Sequence, residues 1–176
     1  MKNHTLHKAN ILLIGCGYHA RRIYFPVLQE LEAAGQCQLL GIVDLLSQKA
    51  TIQDYFLQQG CHLDPENCLW LSEQELDQTR LPHHISHALY TIVRRTNITG
   101  VIIATEPLYH TVYAQWAMRM GLHVLMDKPI STKLDISTSL EAVQDCQKDF
   151  EDLHASYISN LKSNPNLIFR DRKSVV

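Results

Sequence analysis

Gly15-Cys16-Gly17-Tyr18-His19-Ala20 follows the apolar run at 11–14 and precedes a segment with helical apolar spacing. Two glycines one residue apart at such a junction, with a small third residue, suit a loop that holds phosphate. Gly15 permits the tight turn, Gly17 lets the backbone approach a pyrophosphate, and Ala20 keeps the following helix close to its strand. The helix start then offers free N–H groups and a partial positive charge. On its own a Gly-x-Gly turn between strand and helix is equally plain turn chemistry. Asp44 closes the next apolar run, 27 residues beyond Gly17 against the usual ~20. An acid there can accept hydrogen bonds from the hydroxyls of an adenosine ribose. Alone it is also an ordinary strand-end residue; in register with the loop it points to a bound dinucleotide. A carboxylate at 44 repels a 2′-phosphate, and Leu45 and Leu46 add no charge, so NAD is expected ahead of NADP, with Lys49 as the cation in reach.

Further chemistry sits at Asp127-Lys128-Pro129, which closes the last apolar run of the alternating part. Lys128 would project from the C-terminal edge of a sheet, where open α/β folds bind ligands. Pro129 biases Lys128 towards an extended backbone. A lysine partly desolvated in a cleft serves as proton donor or electrostatic stabiliser, although Lys-Pro is also a common loop dipeptide. Arg21 and Arg22 fall in the first turn of the helix after the glycine loop, where a cation is unfavourable by roughly 0.3–1 kcal/mol unless an anion lies nearby. Two solvated arginines are the alternative. His83, His84 and His87 put two imidazoles on one helical face, without a carboxylate or thiolate spaced to complete a metal set. Cys61-His62 with Cys68 matches no metal pattern, and no metal is expected.

The elements that must position these residues alternate along the chain. Apolar runs at 10–15, 38–44, 68–71, 101–104 and 123–126 read as strands buried on both faces. Helical stretches fall between them, at about 47–59, 83–95 and 110–120, and in the segment carrying Ile23, Val27 and Leu31. Pro26 should kink or delay that first helix, with its regular part beginning near Pro26. Strand and helix at this pitch imply a parallel sheet with right-handed crossovers. From Thr132-x-x-Asp135 a long helix is expected, with Ile136, Leu140, Val143, Phe150, Leu153, Tyr157 and Leu161 on one stripe. The Asn164-Pro165-Asn166 cluster ends it, and 167–169 could start one more strand with nothing after it to pack against. The expected fold is α/β, a Rossmann-type doubly wound parallel sheet with a long C-terminal helix. Residues 1–130 form the dinucleotide-binding domain and 131–176 begin a second one.

The 176 residues include 16 basic and 18 acidic side chains, for a net charge of −2, and 45% are hydrophobic. That excludes a disordered chain and supplies no basic footprint for nucleic acid. Five scattered cysteines without a CxxC pair argue against a disulfide framework or thiolate zinc site. A polar N-terminus and short apolar runs give no sign of a signal or membrane-spanning segment, so a cytoplasmic location is expected.

Taken together, Gly15-x-Gly17-x-x-Ala20, Asp44, Ala104-Thr105-Glu106-Pro107-Leu108-Tyr109-His110 and the segment from Gly121 to Asp127-Lys128-Pro129 resemble the N-terminal domain of the Gfo/Idh/MocA family of NAD(P)-dependent oxidoreductases. The resemblance covers 10 to about 145, and the order of the motifs carries it. It implies that Tyr18 and His19 belong to the cofactor loop, that Thr105, Glu106, Pro107 and His110 border the nicotinamide, and that Asp127 and Lys128 stand beside nicotinamide and substrate. Lys128 is the implied catalytic residue. Two departures stand out. Asp replaces the usual Glu before Lys-Pro, and Glu106 stands where the family often has Pro or Asn. Family members also continue into a substrate domain that supplies an Asp and a His to work with the lysine. The chain is therefore expected to be the NAD(P)-binding portion of an oxidoreductase acting on a sugar-like or polyol CH–OH group, inactive alone and prone to self-association through exposed apolar surface. The alternative is a non-catalytic nucleotide-binding or interaction module from a truncated gene. A methyltransferase that binds adenosylmethionine would leave Asp127-Lys128-Pro129 without a role.

Overall fold

Short apolar runs bounded by turn residues become a parallel sheet of six strands. These are β1 (Ala9–Ile14), β2 (Cys37–Leu45), β3 (Cys68–Leu71), β4 (Gly100–Ile103), β5 (His123–Met126) and β6 (Phe169–Asp171). The computed structural model describes residues 8–171; the polar stretch 1–7 and residues 172–176 lie outside the described residues. Helices α1 (Tyr18–Ala33), α2 (Lys49–Gln58), α3 (His83–Thr96), α4 (His110–Arg119) and α5 (Leu140–Leu161) connect the strands. The strand order is β3-β2-β1-β4-β5-β6, with every neighbouring pair parallel.

Alternate side chains of each strand enter different cores, as the period of two requires. Leu12, Ile14, Val43, Val101, Ile103, Val124 and Met126 pack with α3, α4 and Leu153 of α5. Leu13, Ile42 and Ile102 pack with α1 and α2. The strand order reverses at β1, which lies between β2 and β4, so a crevice opens beyond its C-terminal end.

Two expectations are corrected. Helix α1 begins at Tyr18 and runs through Pro26, rather than starting near Pro26. Proline inside a helix costs about 3 kcal/mol, whereas burying Tyr24, Phe25 and Leu28 against the sheet returns about 1.5–3 kcal/mol for each side chain. Helix α5 begins at Leu140, not near Thr132, because the Ala142 N–H donates to Ser139 Oγ at 3.2 Å. The preceding stretch is held outside the helix. Ser131 Oγ and Lys133 Nζ both donate to Asp149 Oδ2, at 2.6 and 2.8 Å.

The final strand, expected to start within 167–169, spans Phe169–Asp171 and pairs with the preceding β5 in parallel, with Val124 opposite Phe169 and Met126 opposite Asp171. Tyr157 Oη donates to the Leu167 carbonyl at 3.1 Å, and the Ile168 N–H donates to His123 Nδ1 at 3.0 Å. β6 thus joins the same sheet, and Leu153 of α5 packs in the core beside it. Among the described residues no helix is long and apolar enough to cross a membrane.

Candidate functional site

The crevice at the strand reversal is a cleft of about 410 Å³. Its floor is the loop between β1 and α1. Gly15 has φ +87°, and a Cβ there would lie 2.6 Å from the Ala104 carbonyl group and the Thr105 nitrogen. The loop therefore sits hard against the end of β4, and only glycine fits. Gly17 is different. Its backbone is extended, at φ −66° and ψ −175°, and a Cβ there meets no protein atom within 4 Å. Gly17 leaves open the side from which a ligand approaches, as a pyrophosphate cradle requires.

Asp44, at the end of β2, faces the same cleft. Its Oδ2 accepts the Cys16 N–H of the glycine loop, and its Oδ1 accepts the Leu45 N–H at 2.6 Å. A carboxylate offers about four acceptor positions, so capacity remains for two ribose hydroxyls. Beneath the loop, burial and then the nearby Asp44 charge push the Cys16 thiol up to about 12. Cys16 is packing, not a nucleophile.

Gly15, Gly17, Tyr18, Asp44, Thr105 and Glu106 all line the cleft. Ala20 is fully buried beneath it. Pro107 opens the short turn of 3-10 helix Pro107–Tyr109 that leads into α4. His19 Nε2 lies 2.9 Å from Asp127 Oδ2, linking the first turn of α1 to the end of β5. His110 borders neither opening. It is wholly buried, with Nδ1 2.7 Å from the Pro129 carbonyl and Nε2 3.1 Å from the Thr105 carbonyl. Its role is to hold together the loops after β4 and β5.

Lys128 is exposed and lines a neighbouring hollow of about 460 Å³ rather than the cleft. Its backbone N–H donates to Asp127 Oδ1 at 2.9 Å, and its ammonium makes no hydrogen bond or ion pair among the described residues. Cys146, Phe150 and Asp171 line the same hollow. Sequence reasoning missed these three, along with Gln48, Leu71, Leu76, Tyr109 and Tyr113 in the cleft. Proximity to strand ends could have suggested Gln48, Leu71, Leu76 and Tyr109, whereas Cys146 and Phe150 sit within α5 and gave no signal. The histidines of α3 form no metal site: His84 Nε2 lies 2.8 Å from Glu75 Oε1. Among the described residues no group of three or more His, Cys, Asp or Glu is placed to hold a metal ion.

Residues 9–160 match Gfo/Idh/MocA, described as an oxidoreductase family with an NAD-binding Rossmann fold. The chain belongs to that family. The matched segment includes the glycine loop, Asp44 and the cleft over them. Solved structures with the Gfo/Idh/MocA fold include an aldose-aldose oxidoreductase from Caulobacter crescentus complexed with glycerol. It is 21% identical with a TM-score of 0.53, over 85% of this chain and 35% of that one. A 3-ketoreductase from Actinomadura kijaniata in complex with NADP is 17% identical with a TM-score of 0.57, over 93% and 38%. A dehydrogenase from Chromobacterium violaceum is 14% identical with a TM-score of 0.56, over 87% and 33%. The chain spans about a third of the length of these relatives, and the likeness is one of fold. No curated protein matches the chain in sequence.

Proposed function

We propose that this chain is the cofactor-binding portion of an oxidoreductase that moves hydride between a nicotinamide and a CH–OH group of a sugar-like or polyol substrate. The observation that carries the reading is the pair of adjoining openings, the cleft with Gly17 and Asp44 and the hollow with Lys128, whose loops His110 joins. The bound nicotinamide would supply the hydride acceptor or donor. Gly17 leaves room for the pyrophosphate, Asp44 orients the ribose, and Thr105 and Glu106 border the nicotinamide end. Lys128 is the candidate catalytic residue, whose unpartnered ammonium would polarise the reacting oxygen. Relatives of this fold that act on sugars or ketones, an aldose-aldose oxidoreductase and a 3-ketoreductase, support the substrate class.

The Lys128 hollow is open, and Asp171 is the only carboxylate lining it among the described residues. We infer that this chain alone does not hold substrate well enough to turn it over, and that its exposed Leu140, Val143, Phe150 and Ile158 on α5 favour self-association or a covering partner. All five thiols are free, which fits a cytoplasmic setting. The test is NAD binding by calorimetry, followed by NADH absorbance with a panel of polyols and sugars. Absence of NAD binding would overturn the reading. The non-catalytic alternative predicts binding without turnover even when the longer relatives' second domain is supplied.

A further inference from the structure

The charge balance of the cleft carries an inference that rests on the dinucleotide reading and goes beyond it. Two carboxylates, Asp44 and Glu106, line the cleft, and Arg21 is the only basic side chain among the described residues lining it. The other cations nearby turn elsewhere. Lys49 Nζ lies over the Trp70 ring, 5.9 Å from its centroid, and Arg22 is exposed on α1 without lining the cleft.

Arg21 is held in place. Its guanidinium carbon lies 5.4 Å from the centroid of the Tyr55 ring, and Tyr55 Oη donates back to the Arg21 carbonyl at 3.0 Å. A cation–π contact with the ring restrains the guanidinium without using its N–H groups as donors to a protein acceptor. The Arg21 Nε is buried without a hydrogen-bond partner, so any contact with a ligand would come from the terminal N–H groups. Asp44, Leu45 and Gln48 complete this end of the cleft, where the adenosine ribose is expected.

We propose that Arg21 determines cofactor choice: its guanidinium receives the 2′-phosphate of NADP, so the cleft accepts NADP as well as NAD despite Asp44. The cation expected from sequence for that task, Lys49, is committed to Trp70. A guanidinium fork matches phosphate geometry, and it offsets the charge of Asp44 where a 2′-phosphate would otherwise be repelled.

The test is calorimetric titration of the 176-residue chain with NAD and with NADP, in wild type, Arg21→Gln and Arg21→Lys, with thermal melts to confirm folding. Wild type should bind both. Arg21→Gln should lose roughly tenfold to a hundredfold in NADP affinity, the worth of a charge-assisted hydrogen bond, while NAD affinity falls far less. Arg21→Lys should keep part of the NADP affinity, and raising salt should weaken NADP binding more in wild type than in Arg21→Gln. Equal losses for both cofactors would mean that Arg21 serves the shared pyrophosphate or adenine, and would overturn the proposal. So would unchanged NADP binding in Arg21→Gln, or a wild type that takes NAD and refuses NADP. A wild type that binds neither cofactor would instead sink the dinucleotide reading itself, together with the role of Arg21.

Discussion

Asp44 ties the end of β2 to the glycine loop by accepting the Cys16 N–H, while its other oxygen accepts the Leu45 N–H at 2.6 Å. One carboxylate therefore braces the cradle and still faces the cleft with acceptor capacity for a ligand. Both duties use separate acceptor positions on the same group.

Asp44→Ala should weaken NAD binding at least tenfold, since it removes hydrogen bonds to a charged group worth about 1.5–3 kcal/mol each and releases the Cys16 amide. Asp44→Asn keeps one acceptor oxygen and should fall between Ala and wild type. Calorimetry on the three proteins checks the order, and unchanged NAD affinity in Asp44→Ala would remove Asp44 from the site.

The two loop glycines should fail in different ways. Gly17→Val puts its side chain into open space, so circular dichroism and melting should stay near wild type while cofactor binding disappears. Gly15→Ala meets the Ala104 backbone at φ +87°. It should lose stability, by about 1–3 kcal/mol for the backbone conformation alone and more for the clash. A Gly17→Val variant that binds like the parent would reduce the loop to a turn.

His110 contacts two carbonyls, and a neutral imidazole donates from only one nitrogen. His110→Leu should leave at least one of these carbonyls without its donor, costing about 0.5–1.5 kcal/mol for the lost hydrogen bond, and should weaken cofactor binding because Thr105 lines the cleft. Urea denaturation gives the first quantity and titration the second. A variant of unaltered stability would show that the two loops hold together without the ring.

Cys16 should make stability depend on alkaline pH. Its folded value is raised from 9.0 to about 12 by burial and then by Asp44, so its contribution is intact below about 9.0 and is lost as pH climbs towards about 12. Cys16→Ala should flatten that alkaline decline. In the native chain at pH 8, alkylation followed by peptide mapping should find Cys146 labelled well before Cys16.

Much of this was legible in the sequence because it depends on local chemistry. The apolar runs fix the strands, glycines and an acid mark the β1 and β2 ends, and the motif order marks the family. What was hidden depends on tertiary balance. Pro26 suggested a late helix, but Tyr24, Phe25 and Leu28 bury enough to carry α1 through it. Thr132-x-x-Asp135 resembled a helix start, but Asp149 draws Ser131 and Lys133 into a separate arrangement and leaves Ser139 to cap α5. Lys49 lies over Trp70 and Arg21 over Tyr55, each pair distant in sequence.

Among the described residues the cleft and the Lys128 hollow share no lining residue, and buried His110 touches a loop from each. If the cleft takes the dinucleotide and the hollow the substrate, as proposed, the lining of one can change without altering the lining of the other. A switch of electron carrier and a switch of substrate would then be separable evolutionary steps, with His110 the position at which a substitution would be felt by both.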